Sequence, residues 1–325
     1  MQSKQTQLLA VLADGNYHSG ENLGELLGVS RAAVWKQLQQ LEQLGIEVKS
    51  QKGKGYCIEG GLSLLSAKSI MAALSSDAAE LLTRLDVLNG VDSTNQYLLE
   101  KVTQSEVHGL VCTAEQQTAG RGRRGRPWVS PYGGNIYLSL AWRFSQGVAA
   151  VEGLSLAVGV AVAQALEGLG CEGLVLKWPN DVLYKGKKLG GILLELAGDA
   201  SGEFHVIVGI GLNVRMAKGA GAQVDQAWTD LADVGGVSLE RNRIIAHLLE
   251  RLLPMLETYE REGFSQYHSA WEQRNAHLGR TVELESPANT VQGEMLGVTS
   301  SGGLRLQVGE REEVFLGGEI SVRAK

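Results

Sequence analysis

The hydrophobic pattern changes along this chain of 325 residues, and these changes limit its fold more than any other feature. The first 60 residues contain short stretches with apolar residues at helical spacing, whereas residues after about 278 form short apolar runs separated by glycine turns. A chain of this length, with 44% hydrophobic residues, can bury more than one core. The sequence therefore predicts a multidomain α+β protein, with domains at residues 1–62, 66–274 and 275–325.

The N-terminal stretches are arranged as a helix-turn-helix followed by a wing. Ser19 and Ser30 stand where their hydroxyls can cap the second and third helices. Two short apolar runs, at residues 46–48 and 56–58, are predicted to be the strands of the wing. We therefore expect a winged helix-turn-helix, the architecture of many DNA-binding domains.

Positive charge within this unit is concentrated on the third helix and the wing, where DNA phosphates would lie. The domain is not basic as a whole, because residues 1–60 contain six Lys/Arg and six Asp/Glu. The helix-turn-helix is expected to begin at Gly20 and to end at Gln39. The candidate DNA contacts are Ser30, Arg31, Lys36 and Gln37 in the third helix, with Lys52 and Lys54 in the wing. A role in protein docking is the alternative, and DNA binding would require a dimer, since a single winged helix binds weakly.

Residues 120–126 place four arginines among three glycines, and Pro127 follows directly. Glycine lets a backbone approach a ligand closely, and arginine presents donors that suit phosphate and carboxylate oxygens. The glycine spacing also matches a dinucleotide-binding fingerprint, but Pro127 and Pro131 prevent the helix that this fingerprint requires. A solvated basic patch that touches nucleic acid is a further alternative, which the net charge of −6 disfavours. The pattern therefore favours a mobile loop that closes over a small anion.

Three further segments carry polar groups that could meet a ligand. Residues 92–95 (Asp-Ser-Thr-Asn) follow a predicted strand, and in isolation their hydroxyls are best interpreted as a helix cap. Residues 177–181 (Lys-Trp-Pro-Asn-Asp) and 187–195 form a predicted hairpin whose lysines would ordinarily be solvated, although Asp181 could serve as a Mg²⁺ ligand. Residues 207–214 form an apolar strand interrupted by glycines, which would let another group approach its backbone.

Composition narrows the class of protein. The chain shows no charged and then apolar leader at its start, and its most apolar run, at residues 154–169, is interrupted by polar residues as in a buried helix. Neither the six histidines nor the three cysteines have metal-binding spacing. We therefore expect a reduced cytoplasmic protein with no membrane association.

Together these motifs resemble those of the biotin–protein ligase family, in the form that also represses a biotin operon. The resemblance runs from the Ser-Arg-Ala-Ala of the third helix to the Gly-Gly-Glu-Ile-Ser-Val-Arg at residues 317–323. It implies a central α/β ligase domain similar to class II synthetase and lipoyl-ligase folds, and a C-terminal SH3-like β-barrel. Lipoate–protein ligases resemble only the central fold. The role of the barrel, either support or binding of ATP and carrier protein, stays open.

The resemblance implies that the chain joins biotin to the α-phosphate of ATP, presented with Mg²⁺, and then transfers biotin to a lysine of a biotin carboxyl carrier protein of acetyl-CoA carboxylase. The implied biotin-binding residues are Ser93, Thr94, Asn95, Gln117, Arg121, Gly122, Arg123 and Lys188. The implied nucleotide-binding residues are Arg121, Trp128, Lys177, Asn180, Asn213 and Trp228. The residues implied to act in catalysis are Arg121, Lys177, Asp181 and Lys188, with Asp181 near the Mg²⁺.

The same resemblance implies regulation by the reaction intermediate. Biotinyl-5′-AMP would order the arginine loop, favour a homodimer and so direct two winged helices to operator DNA. Two other functions fit the sequence: a regulator that binds an anion without turning it over, and a lipoyl-type ligase.

Overall fold

The structure is a computed structural model that describes residues 4–104, 106–198, 203–216, 218–237, 239–285, 290–316 and 321–324. Its N-terminal domain consists of helices α1 (Lys4–Leu12), α2 (Gly20–Leu27) and α3 (Arg31–Gln43) and the hairpin β1 (Lys49–Gln51) and β2 (Gly55–Cys57). The hydroxyl of Ser19 accepts from the Asn22 amide at 3.1 Å, and that of Ser30 accepts from the Ala33 amide at 3.3 Å. Both predicted caps, and with them the helix-turn-helix, are present.

The first wing strand differs from the prediction. It occupies Lys49–Gln51 rather than residues 46–48, and the second strand is Gly55–Cys57. The reason lies at the end of α3, where the Ile46 amide donates to the Leu41 carbonyl at 3.1 Å and the Ile46 side chain is buried. Ile46 therefore closes the helix end over the domain core, and strand pairing starts only after the chain has turned outward.

The central domain contains a seven-stranded sheet covered by helices on both faces. Its helices are α4 (Ala67–Ala72), α5 (Ser76–Leu81), α6 (Thr94–Val102), α7 (Leu154–Glu167), α8 (Lys218–Gly221), α9 (Leu231–Val234), α10 (Arg241–Glu262) and α11 (Ser265–Glu272). Its strands are β3 (Arg84–Leu88), β4 (Leu110–Ala114), β5 (Ile136–Phe144), β6 (Leu174–Lys177), β7 (Asp181–Tyr184), β8 (Lys187–Gly198) and β9 (Phe204–Leu212). The strand order is β3-β4-β5-β9-β8-β7-β6, and β3–β4 is parallel while the other neighbouring pairs are antiparallel.

Helix α7 belongs to the core of this domain. Residues 148–167 are long and apolar enough, by composition, to cross a bilayer. In the fold, however, most residues of α7 are buried against α10 and the sheet, as the polar interruptions of this run predict. The apolar composition of α7 is thus explained by its burial within the protein.

The C-terminal domain is a five-stranded antiparallel sheet that packs on the central domain. Its strands are β10 (Thr281–Glu285), β11 (Thr290–Val298), β12 (Leu304–Val308), β13 (Arg311–Phe315) and β14 (Ser321–Ala324), in the order β13-β12-β11-β10-β14. Residues such as Leu306 share one continuous core with α7 and α11. The indole N–H of Trp178, in the turn between β6 and β7, donates to the Gly302 carbonyl at 3.1 Å. The small β domain therefore supports a turn that the sequence marked as part of the ligand site.

The segment between the winged helix and α4 is fixed to the central domain. Arg241, only 1% exposed, donates from Nε to the Ser63 carbonyl at 2.9 Å and from Nη1 to the Asn135 carbonyl at 3.0 Å. Its guanidinium also pairs with Glu115, and Glu115 accepts from the Leu65 amide at 2.6 Å. A buried charge needs such partners, so this segment holds the N-terminal domain in a defined position.

Candidate active site

A cavity of about 280 Å³ lies where the start of α6, the arginine loop and the strands β8 and β9 meet. All residues that the sequence predicted for biotin, nucleotide or metal line it: Ser93, Thr94, Asn95, Gln117, Arg121, Gly122, Arg123, Trp128, Lys177, Asn180, Asp181, Lys188, Asn213 and Trp228. The fold thus brings together segments that are more than 130 positions apart in sequence. Which ligand group each residue meets stays a prediction.

One end of the cavity is a network of neutral hydrogen-bonding groups at the start of α6. Ser93, Thr94 and Asn95 are each only 4% exposed. The Thr94 hydroxyl donates to Gln117 Oε1 at 3.2 Å, and Gln117 Nε2 donates to the Ser130 hydroxyl at 3.1 Å. Because these groups hold one another, the end of the cavity presents donors and acceptors in fixed directions.

The position of Ser93 is consistent with both interpretations of residues 92–95. Its hydroxyl accepts from the Gln96 amide at 3.4 Å, so it does cap α6. It lines the cavity as well. The cap and the ligand site are therefore compatible, since the cap is what places Thr94 and Asn95 at the cavity wall.

Two glycines in β9 make room for this wall. A Cβ at Gly209 would lie 2.3 Å from Asn95 Oδ1, and a Cβ at Gly211 would lie 2.4 Å from Trp128 Cε2. Any side chain at either position would displace its neighbour. This agrees with the prediction that glycines open the strand for another group, and it identifies Asn95 and Trp128 as those groups.

The arginine loop is a closed hairpin over the cavity. The Gly122 amide donates to the Arg126 carbonyl at 2.7 Å, and Arg124 occupies the left-handed region with a φ of 59°. Arg123 Nη1 donates to Asn180 Oδ1 at 3.2 Å, which ties the loop to the turn at residues 177–181. Burial lowers the pKa of Arg123 from its usual value, because a desolvated cation is disfavoured. An anion placed beside it would offset that cost.

The other end of the cavity carries charge. Lys188 Nζ lies 2.7 Å from Asp181 Oδ1, and both side chains are largely buried. The pairing of β7 with β8 shifts register beside Lys188, and the Lys188 amide donates to the Ala227 carbonyl at 3.0 Å. The backbone of Lys188 is thus positioned by its pairing with β7 on one side and by the segment around Trp228 on the other. Its Nζ also lies 5.4 Å from the Trp128 ring centre, within the range of a cation–π contact.

Two buried polar atoms at this end lack hydrogen-bond partners among the described residues: Trp128 Nε1 and Asn213 Oδ1. The amide nitrogen of Asn213 is occupied, since it donates to the Thr229 carbonyl at 3.0 Å. Buried polar atoms are nearly always paired in native proteins. Both residues line the cavity, so a ligand with an acceptor for the indole and a donor for the amide oxygen would complete them.

A divalent cation fits this end only together with a ligand. Within the described ranges, no three His, Cys, Asp or Glu side chains come together as a metal site. Asp181 supplies a carboxylate, but it already pairs with Lys188. Mg²⁺ is commonly held by one or two carboxylates plus substrate phosphates, so the residues suit an ion that arrives with a nucleotide.

Comparison with known proteins agrees with this geometry. Residues 87–213 match the biotin/lipoate A/B protein ligase family, residues 4–57 match an HTH domain, and residues 277–323 match the biotin protein ligase C terminal domain. Over 318 residues the chain is 41% identical to the bifunctional ligase/repressor BirA of Escherichia coli. The aligned region covers 98% of this chain and 97% of that protein. The chain belongs to the biotin/lipoate A/B protein ligase family.

Other members of the family are similar over the greater part of the chain. The biotin–[acetyl-CoA-carboxylase] ligase of Mycobacterium tuberculosis is 37% identical over 243 residues, which are 73% of this chain and 88% of that protein. The biotin protein ligase from Aquifex aeolicus, solved in complex with biotin and ATP, superposes with a TM-score of 0.64 at 29% identity and covers 75% of this chain and all of its own. The three-part fold predicted from the sequence is confirmed.

The family match at residues 87–213 contains every predicted ligand residue except Trp228. It also contains two residues for which no role was predicted. Glu195 accepts from Asn95 Nδ2 at 2.8 Å and from Arg121 Nη2 at 3.3 Å, and so joins the neutral end to the arginine loop. The Ser139 hydroxyl lies 2.6 Å from Asn95 Oδ1. The signals available in the sequence were a carboxylate directly after the apolar residues 192–194 and a serine among the apolar residues of 136–144.

Proposed function

We propose that this family member is an ATP-dependent biotin–protein ligase that also acts as a biotin-responsive repressor. It activates biotin to biotinyl-5′-AMP with release of pyrophosphate, and transfers the biotinyl group to a lysine of a biotin carboxyl carrier protein. The observation that carries the proposal is the two-ended cavity, in which neutral hydrogen-bonding groups adjoin cations. Biotin has the matching structure, because its ureido ring is neutral whereas its carboxylate reacts with a polyanion.

The neutral end would bind the ureido ring. The ring offers one carbonyl acceptor and two N–H donors, and hydroxyl and amide groups can satisfy both kinds. Ser93, Thr94, Asn95 and Gln117 supply such groups. Because the residues already hold one another in place, binding would cost little side-chain ordering.

The cationic end would carry the chemistry. A carboxylate oxygen of biotin attacks the α-phosphorus of ATP, the bond to the β-phosphate oxygen breaks, and pyrophosphate leaves. Lys188 would neutralise the carboxylate as it approaches and the adenylate phosphate afterwards, with Arg121, Arg123 and Lys177 around the phosphates. Asp181 would orient Lys188 and meet the Mg²⁺ of MgATP. In the second step the amine of the carrier lysine attacks the acyl carbon, loses a proton and releases AMP.

The remaining lining residues would hold the rest of the nucleotide and the loop. Trp128 and Asn213 each have a polar atom without a partner among the described residues, which a nucleotide could satisfy, and Trp228 and Asn180 line the same cavity. The Gly122 amide closes the loop onto the Arg126 carbonyl, and Gly122 would lie beside the intermediate. An acyl-adenylate hydrolyses in water, so a closed loop would preserve it until the carrier arrives.

The repressor activity would use the winged helix. Arg31 and Lys36 on α3, and Lys52 and Lys54 at the wing tip, are exposed and face solvent, and Ser30 and Gln37 lie beside them. We infer that biotinyl-5′-AMP favours a homodimer that binds a two-fold symmetric operator. Substrate ATP and operator DNA are both cytoplasmic, which supports that location.

The ligase proposal is tested by the intact mass of a biotin carboxyl carrier domain after incubation with the full chain, MgATP and biotin. One added biotinyl group that depends on ATP is the expected result. A parallel reaction with lipoate separates the related activity, because lipoyl addition would change the substrate assignment. No addition by a folded sample would leave a binding-only regulator.

The repressor proposal needs a separate measurement, made by sedimentation and by DNA binding with and without biotin plus MgATP. The expected result is a shift from monomer to dimer and tighter DNA binding when both substrates are present. An unchanged monomer–dimer equilibrium would contradict the regulatory link without affecting the ligase assignment.

A further inference from the structure

Helix α3 exposes a large aromatic side chain to solvent. Trp35 is 55% exposed, although tryptophan is usually well covered in folded proteins. It lies in the N-terminal half of the helix, which is the half that enters the major groove in helix-turn-helix proteins. At this position the exposed indole is available for contact with DNA bases, because the N-terminal part of the recognition helix is the part that meets base edges.

The packing of α3 decides which face that partner meets. Val34, Leu38 and Leu41 are buried in the core of the winged helix. Outside that buried stripe, Trp35 lies between Arg31, one turn before it, and Lys36, the next residue, and all three side chains are exposed. This combination of two cations around an apolar plane suits nucleic acid better than an apolar protein surface, because cations meet phosphates at the rim of the groove.

The indole group of Trp35 can bind only a limited set of chemical groups on a base. It has an apolar ring and one N–H donor, and it has no acceptor. In the major groove only thymine presents an apolar methyl group next to an acceptor, its O4. Guanine offers acceptors without a methyl group, and the exocyclic amines of adenine and cytosine require an acceptor that indole lacks.

We propose that Trp35 recognises a thymine in each operator half-site, with its ring against the C5 methyl group. The proposal rests on the repressor half of the proposed function and is independent of the ligase half. Arg31 and Lys36 position α3 through the phosphates, whereas Trp35 contributes base preference.

The first test selects sequences from random duplex DNA with the full chain in the presence of biotin and MgATP. The wild type is expected to select a site with a fixed thymine in each half, and Trp35→Ala is expected to lose that one preference. Leu26→Ala is the matched control, because it removes another exposed apolar side chain from the same domain, on α2, and should select the wild-type site. Ligation and thermal unfolding of Trp35→Ala should match the wild type, since the side chain is exposed and outside the cavity.

The second test removes a single methyl group from the DNA. Each selected thymine is replaced in turn by deoxyuridine, which keeps O4 but lacks the methyl. At one position per half-site the wild type should bind about fourfold more weakly, the effect of one buried methyl group. Trp35→Ala should be insensitive at that position and unchanged elsewhere.

Equal sensitivity of both proteins to deoxyuridine, or selection of the same site with the same affinity by Trp35→Ala, would overturn the proposal. A Trp35→Ala protein that fails to dimerise while keeping its thymine preference would assign the side chain to a second copy of the chain instead. If the wild type selects no sequence yet ligates biotin, the repressor half fails together with this inference, and the ligase half stands.

Discussion

The two ends of the ligand cavity are built differently. At the start of α6, Thr94 and Asn95 are buried and their polar atoms are paired with other side chains. At the Lys188 end, the Lys188 ammonium is paired with the Asp181 carboxylate, and buried polar atoms of Trp128 and Asn213 lack partners among the described residues. The neutral end is therefore complete without a ligand, whereas the charged end is completed by one.

This difference has an energetic meaning. A buried polar atom without a partner destabilises the fold by about 1–3 kcal/mol, and a nucleotide that bonds the unpaired atoms at the charged end would remove this penalty. At the neutral end the polar atoms are already paired, so its selectivity for biotin would come from the fixed directions of its donors and acceptors. We therefore expect substitutions at the charged end to reduce the rate of adenylate formation, and substitutions at the neutral end to weaken biotin binding.

The largest effect is expected for Lys188→Ala. The substitution removes the cation proposed to meet both reacting anions and leaves Asp181 unpaired, so adenylate formation should fall about 10²–10³-fold, as for other preorganised charge stabilisation. Pyrophosphate release at saturating biotin and ATP measures it. Lys187→Ala, at an exposed position on the same strand, is the control and should be near wild type. A loss of less than tenfold in Lys188→Ala would assign the chemistry to other cations.

The next effect is expected at the neutral end for Gly209→Ala. The new Cβ would lie 2.3 Å from Asn95 Oδ1, and overpacking of this kind costs about 1–3 kcal/mol. The KM for biotin should therefore rise about tenfold, while the KM for ATP stays within twofold of the wild-type value. Gly90→Ala is the control, since nothing lies within 4 Å of the added Cβ. Equal changes in both KM values would show that the two ends are not separable.

A smaller effect is expected for substitutions of Glu195, which test the connection between the neutral end of the cavity and the arginine loop. Glu195→Ala removes the partner of both Asn95 and Arg121, and because the ion pair with Arg121 is partly exposed, a net loss of about 1 kcal/mol should raise the KM for biotin about fivefold. Glu195→Gln keeps an acceptor for Asn95 and loses the charge facing Arg121, so its KM should be intermediate. The exposed Glu203→Gln is the control. Identical behaviour of the Ala and Gln variants would mean that only the ion pair with Arg121 matters.

The smallest effect is expected for Trp178→Phe, which tests how the C-terminal domain, through Gly302, supports a residue of the cavity wall. Loss of the donor leaves the Gly302 carbonyl without its indole partner, so the free energy of unfolding should fall by about 1–2 kcal/mol, with less than a threefold change in kcat. Urea unfolding measures the first and pyrophosphate release the second. Trp35→Phe provides a surface control for the same exchange. A large fall in kcat with unchanged stability would give the C-terminal domain a direct part in the reaction.

Local chemistry explains what the sequence could predict. Caps at Ser19 and Ser30 depend only on the next three residues, so both could be predicted without knowledge of the fold. The lining of the cavity was predictable from motifs that the family resemblance linked, although their roles stay predictions.

Non-local contacts explain what the sequence did not predict. The hydrogen bond between Asn95 and Glu195 joins residues 100 positions apart, and it depends on a sheet order that periodicity does not encode. The predicted strand at 207–214 is Phe204–Leu212, because the Val214 amide leaves the sheet to donate to Asn135 Oδ1 at 3.0 Å. The wing strand was misplaced for a similar reason, since Ile46 is required in the core.

The buried guanidinium of Arg241 limits where the chain can be divided. A shortened ligase that begins at α4 would lack the Ser63 carbonyl and would leave this cation short of acceptors, at the same time uncovering Tyr132, which packs in the core of the winged helix. An engineered minimal enzyme would therefore have to retain residues 62–65, or replace Arg241 and Tyr132 together. By the same reasoning, the DNA-binding and catalytic domains are joined by buried contacts as well as by a linker. Exchanging winged helices between relatives would therefore require exchanging the residues that form these contacts.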